Sequence, residues 1–140
     1  MLARPTLALL LVLLAVAPAS AASGHKSLNC KFESGVTHVY EKGAFMHEAT
    51  APLAFGIASI NTAEQTADLK TERGTGTLRL VQAVNAMHFL EVAIEGALYI
   101  TTVFDKDDAK GAYPAVHSRH FALLGQPIVT HYQGFCQESD

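Results

Sequence analysis

The chain has 140 residues, 49% of them hydrophobic and 16% charged, with a formal net charge of -3. That is the composition of an ordinary globular protein, neither disordered nor collagen-like. A mildly acidic chain lacks the basic stripe that nucleic-acid binding requires, so no nucleic-acid partner is expected.

The first residues read as an export signal. Arg4 supplies a short positive region, and Leu7 to Ala17 forms a continuous apolar run of the length expected for a signal core. Pro18 breaks it, and Ala19-Ser20-Ala21 offers the small side chains that signal peptidase accepts. The expected division is a signal peptide at 1–21 and a single β domain at 22–140. The run is shorter than the roughly 20 apolar residues of a membrane anchor, so no membrane span is expected. The implied location is periplasmic or secreted.

Export makes the cysteine count informative. Cys30 and Cys136 are the only 2 cysteines, near opposite ends of the exported portion. In an oxidising compartment such a pair predicts a disulfide, and no C-x-x-C spacing favours reactive thiols or metal ligands instead.

Short apolar and β-branched runs alternate with turn residues at intervals of about ten, which is an all-β pattern. Leu28 to Glu33 precedes a Ser34-Gly35 turn, and Val36 to Lys42 follows it. Leu53 to Ile60 reaches a polar corner at Asn61 to Glu64, where Asn61 could cap a single helical turn. Thr66 to Thr71 and Thr77 to Val84 flank a corner at Arg73-Gly74-Thr75-Gly76. Met87 to Ile94 turns at Glu95-Gly96 into Ala97 to Phe104. A polar loop, Asp105 to Pro114, leads to Ala115 to Leu123 and, through Gly125-Gln126-Pro127, to Ile128 to Phe135. Eight or nine sequential strands with short turns predict an antiparallel meander closed as a small barrel, with a β-sandwich as the alternative. A terminal disulfide would tie the first strand to the last.

Seven histidines are many for this length. The densest cluster is His117-Ser118-Arg119-His120. On a strand, residues three apart face opposite ways, so His117 and His120 do not chelate one ion. No metal site is assigned, because a third ligand among His38, His47, His88 and His131 is not identifiable from sequence. Ser118 lacks a nucleophile elbow. Glu91 and Glu95 are read as solvated carboxylates rather than an acid–base pair. Asp105 to Asp108 resembles the start of a calcium loop, but Gly111 falls one place after the position of that loop's glycine and Val116 stands where its glutamate belongs, so a solvated loop is expected. No catalytic residue and no cofactor are therefore assigned. Arg119 shares a face with His117 and Phe121. If that face is closed, its guanidinium needs a carboxylate partner, for which Glu91 is the natural candidate. If it is open, Arg119 is an anchor for an anionic partner.

Val116-His117-Ser118-Arg119-His120, Gly125-Gln126 and Tyr132-Gln133-Gly134-Phe135-Cys136 together resemble the tail of an uncharacterised family of small exported bacterial proteins. Phe89-Leu90-Glu91-Val92 and Thr101-Thr102 extend the resemblance. It implies an exported bacterial domain and brings no catalytic residue with it. A fainter likeness, to periplasmic lysozyme inhibitors, rests on size, export, Asn29-Cys30-Lys31-Phe32 in an early strand and the Ser34-Gly35 turn. Those inhibitors are small disulfide-tied β-barrels.

The expectation is an exported, non-enzymatic β domain that binds a protein or small ligand in the cell envelope, with His117, Arg119 and His120 as the binding candidates. The alternatives are a metal-binding or enzymatic protein using the His117/His120 region, and an envelope structural protein.

Overall fold

Period-two alternation of apolar side chains becomes a continuous antiparallel sheet. The structure, a computed structural model, describes residues 26–93 and 96–139. The expected signal peptide at 1–21 lies outside them, as do Ile94 and Glu95. The strands are β1 (Lys26–Glu41), β2 (Ala44–Thr50), β3 (Leu53–Asn61), β4 (Thr66–Thr71), β5 (Gly74–Gln82), β6 (Ala86–Val92), β7 (Leu98–Phe104), β8 (Tyr113–Leu123) and β9 (Gln126–Ser139). Each of β3 to β9 pairs with its neighbour in sequence, and β9 pairs back onto β1, which closes an eight-stranded barrel. A barrel rather than a sandwich is thus formed, and its closure leaves no free edge on those eight strands over the barrel proper.

The seam is made by the ends of the chain. Cys30 stands opposite Cys136 in the β1–β9 register, and the two are joined by a disulfide spanning 106 residues of sequence. In the chain-entropy picture a loop of that length contributes up to about 4.7 kcal/mol. Along β1, Leu28, Cys30 and Phe32 are buried while Asn29, Lys31 and Glu33 are exposed. The same alternation brings Ile57, Leu80, Phe89 and Val103 inward, and with Phe32 and the disulfide they fill the middle of the barrel. Each large apolar side chain so buried contributes about 1.5–3 kcal/mol.

Three expectations are corrected here. Ser34-Gly35 is not a turn, because β1 runs straight through it. The β1–β9 register slips by one residue between Lys31 and Ser34, which is a β-bulge. Two glycines permit the close approach. A Cβ on Gly134 would lie 2.0 Å from the Lys31 carbonyl oxygen, and one on Gly35 would lie 2.5 Å from the Tyr132 ring. One of the features behind the lysozyme-inhibitor likeness is therefore absent. The bulge also reverses parity: even residues of β1 face inward before it, whereas Gly35 and Thr37 face inward after it, opposite Tyr132 and Thr130.

The second correction is β2, which no sequence run marked. The first half of β1 pairs with β3, and β2 folds back onto its second half, on the same side. The turn is Lys42-Gly43, with φ of 50° and 85°; Leu124-Gly125 repeats it between β8 and β9, with φ of 50° and 83°. Two-residue turns with both φ positive match the twist of a hairpin. The two hairpins extend the sheet past one barrel mouth as a ribbon ordered β2, β1, β9, β8. At the opposite end Asn61 caps a single turn between β3 and β4, as expected, its Oδ1 accepting from the backbone N–H groups of Ala63 and Glu64. The expected loop at 105–114 is shorter than predicted, since Tyr113 and Pro114 already belong to β8.

Candidate functional site in the barrel mouth

The inward face of β8 presents Ala115, His117 and Arg119 in succession, while Val116, Ser118 and His120 face out. Strand pairing then sets their company. Thr101 and Tyr132 lie opposite His117, and Tyr99 and Thr130 lie opposite Arg119.

His117 is buried in an aromatic cage. Its ring centroid stands 5.2 Å from Phe55, 5.8 Å from Tyr132 and 5.9 Å from Phe32. Arg119 Nε donates to His117 Nε2 at 3.2 Å, so that nitrogen is the acceptor and the ring proton sits on Nδ1. Nδ1–H accordingly donates to Thr101 Oγ1 at 2.9 Å. Burial first, and the neighbouring Arg119 charge second, push the His117 pKa down to about 3. The imidazole is neutral, with both nitrogens engaged.

Arg119 is half-buried, and its guanidinium lies 5.3 Å from the Tyr99 ring centroid and 5.5 Å from that of Tyr132. Cation–π contacts of this kind are worth about 0.5–2 kcal/mol each. The expected ion pair with Glu91 is not formed. Among the described residues the ion pairs are Lys42–Glu41 and Lys70–Asp68, both at the surface. Glu91 does face inward on β6, but its carboxylate reaches toward Gly76 on β5. The register sets the two side chains on either side of Tyr99, where both line one cavity without forming an ion pair.

The space between is a cavity of about 430 Å³, within the range of small-molecule sites. Phe55, Leu69, Leu78 and Phe89 give it apolar walls, and Glu72, Arg73, Glu91 and Arg119 give it polar ones. Among the described residues the terminal nitrogens of Arg119 have no hydrogen-bond partner, and no buried side-chain nitrogen or oxygen is left unsatisfied. Those nitrogens are therefore accessible from the cavity.

His120, the third candidate, is not part of this site. It is exposed on the outer wall, with Nε2 3.1 Å from Ser118 Oγ. The aromatic partners Tyr99 and Tyr132 and the hydroxyl of Thr101 were not among the sequence candidates, since only cross-strand register brings them to Arg119 and His117. A second cavity, of about 520 Å³, lies at the other barrel end between Lys26, Ile60, Met87, Tyr113 and Glu138. There Tyr113 Oη donates to Glu138, which lowers the carboxyl pKa and raises that of the phenol.

No protein-family model matches the chain, and no curated protein matches it.

Proposed function

We propose that the chain is an exported, non-enzymatic β-barrel domain that binds an anionic group, carried by a small ligand or by a protein side chain, at the Arg119 mouth. The observation that carries this reading is a half-buried guanidinium stacked on two tyrosines, lining a cavity and paired with no carboxylate among the described residues. A planar, pre-oriented fork of N–H donors is suited to a carboxylate or phosphate oxygen pair. Glu72 and Glu91 on the same walls repel a ligand of high negative charge. One carboxylate on an otherwise apolar body fits the cavity best.

The chemistry of the neighbours favours binding over catalysis. His117 is neutral and has both nitrogens committed, so it is not free to take a proton from a substrate. Ser118 lies on the opposite face of its strand. His117 and His120 are likewise on opposite faces, which disfavours a metal or catalytic centre made from that pair. A cavity with an unpaired cation also suits a ligand-binding domain better than a purely structural envelope protein. The disulfide is compatible with an oxidising compartment, and a periplasmic or secreted location accords with it.

Titration with aliphatic and aromatic monocarboxylates, followed by NMR at the Arg119 Nε–H and the His117 ring, tests this. Saturable shifts confined to Arg119, His117, Tyr99 and Thr101, and abolished by Arg119→Gln, are expected. Shifts that persist in Arg119→Gln, or no saturable shift with any carboxylate, would refute the assignment.

A further inference from the structure

On the outer wall, beyond the barrel mouth, four histidines stand in a row across four neighbouring strands. His47 on β2 lies directly opposite His38 on β1, with ring centroids 6.1 Å apart. His38 is 6.1 Å from His131 on β9, and His131 is 6.2 Å from His120 on β8. The β1 bulge creates the row. Without its parity reversal His38 would face the same way as Leu28, Cys30 and Phe32.

Strand parity also fixes what else this face offers. The outward neighbours of the row are Phe45 and Ala49 on β2, Val36 and Tyr40 on β1, and Val129 on β9, while Glu48 faces the other side opposite Thr37. Imidazole is thus the metal-binding group of this face, with no carboxylate beside it on those strands. Such a donor set suits zinc, copper or nickel and not calcium or magnesium.

We propose that His38 and His47 bind a divalent transition-metal ion, for which Zn²⁺ is the test case, as a cross-strand two-imidazole chelate. Two imidazoles on one zinc, each with a metal–nitrogen bond of about 2.0–2.1 Å, place their ring centroids roughly 5–6 Å apart. The 6.1 Å separation reaches that with a small side-chain movement, and His47 is exposed and His38 half-buried, so both rings have room for it. Among the described residues no three His, Cys, Asp or Glu donors converge on one point. The site is therefore an open two-ligand chelate rather than a closed structural cage, with solvent completing the coordination. His131 is diagonal to His38 in the register, and its ring, though as near as that of His47, is turned more nearly edge-on, at 67° against 40°.

Equilibrium dialysis of the untagged exported chain against Zn²⁺ is the experiment. Micromolar binding is expected in the wild type. His38→Ala and His47→Ala should each weaken it by at least about tenfold, as loss of a ligand does, with unchanged circular dichroism. His120→Ala, His88→Ala and Arg119→Gln should bind as the wild type, the last because the barrel mouth is a separate site. Absence of micromolar binding in the wild type, wild-type affinity in His38→Ala or His47→Ala, or an equal loss in His120→Ala would each overturn the proposal.

Discussion

Acidification tests the description of the barrel mouth through His117. The imidazole is neutral in the folded chain down to about pH 3, whereas an unfolded chain protonates it near its ordinary value of 6.5. Between those two values the unfolded state holds one proton more than the folded state. The contribution is complete above about pH 6.5 and is lost as pH falls, at about 1.4 kcal/mol per pH unit. At pH 4 the loss from this one ring is about 3 kcal/mol, a large share of the 5–15 kcal/mol that holds a typical domain folded. Urea unfolding at pH 7 and pH 4 measures it, and His117→Gln isolates it. Glutamine does not titrate, yet it can accept from Arg119 and donate to Thr101. Other titrating groups act alike in both proteins, so the wild type should lose about 3 kcal/mol more than the variant over that interval. Losses that agree to within about 0.5 kcal/mol, the usual additivity error, would refute the buried neutral imidazole.

Three further outcomes are expected. Thiol titration of unfolded, unreduced protein should find no free cysteine, and reduction of Cys30–Cys136 should lower stability by about 2–5 kcal/mol in the same urea assay. Gly134→Ala should destabilise by about 2 kcal/mol or more, because its methyl meets the Lys31 backbone at the bulge and backbone there has little room to move; unchanged stability would count against the seam geometry. Glu138→Gln should lower the pH at which Tyr113 ionises, read by ultraviolet absorbance, since the charge that raises it is removed and the hydrogen bond becomes a weaker, neutral one.

The antiparallel meander and the disulfide were legible in the sequence because each rests on a simple rule, whereas the choice of a barrel over a sandwich rests on the long-range pairing of β1 with β9. Alternation and turn residues mark strands, and an even cysteine pair in an exported chain marks a bridge. The parity of β8 was legible for the same reason, and the structure places His117 and Arg119 inward and His120 outward accordingly. What failed depended on tertiary contact. Ser34-Gly35 has turn composition, but Gly134 on the partner strand and the ring of Tyr132 allow it to continue as a bulged strand. β2 is exposed along nearly its whole length and so carries no hydrophobic alternation to detect. In β6 the inward face holds buried Phe89 and the carboxylate Glu91, while Val92 on the other face is 79% exposed. Local hydrophobicity alone does not choose between those faces. The partners of Arg119 follow from register around a closed barrel, and spacing along the chain does not encode that register.

The interior is divided in a way that bears on function. Its middle is occupied by the disulfide and by Phe32, Ile57, Leu80 and Phe89, all fully buried. At the mouth the same inward-facing positions hold a cation, a neutral imidazole, two phenol rings and a carboxylate. A half-buried charge is stabilised less by ring faces and one imidazole lone pair than by a hydrogen-bonded counter-anion. Apolar residues of similar size at such positions commonly leave stability unchanged or raise it. Arg119 thus stands beside the cavity with no carboxylate partner among the described residues. The β1 bulge bears on both surfaces at once: it turns Thr37 inward toward Thr130, level with Arg119, and His38 outward toward His47. One inserted residue in the seam thereby sets which β1 side chains face the barrel interior and which join the outer histidine row.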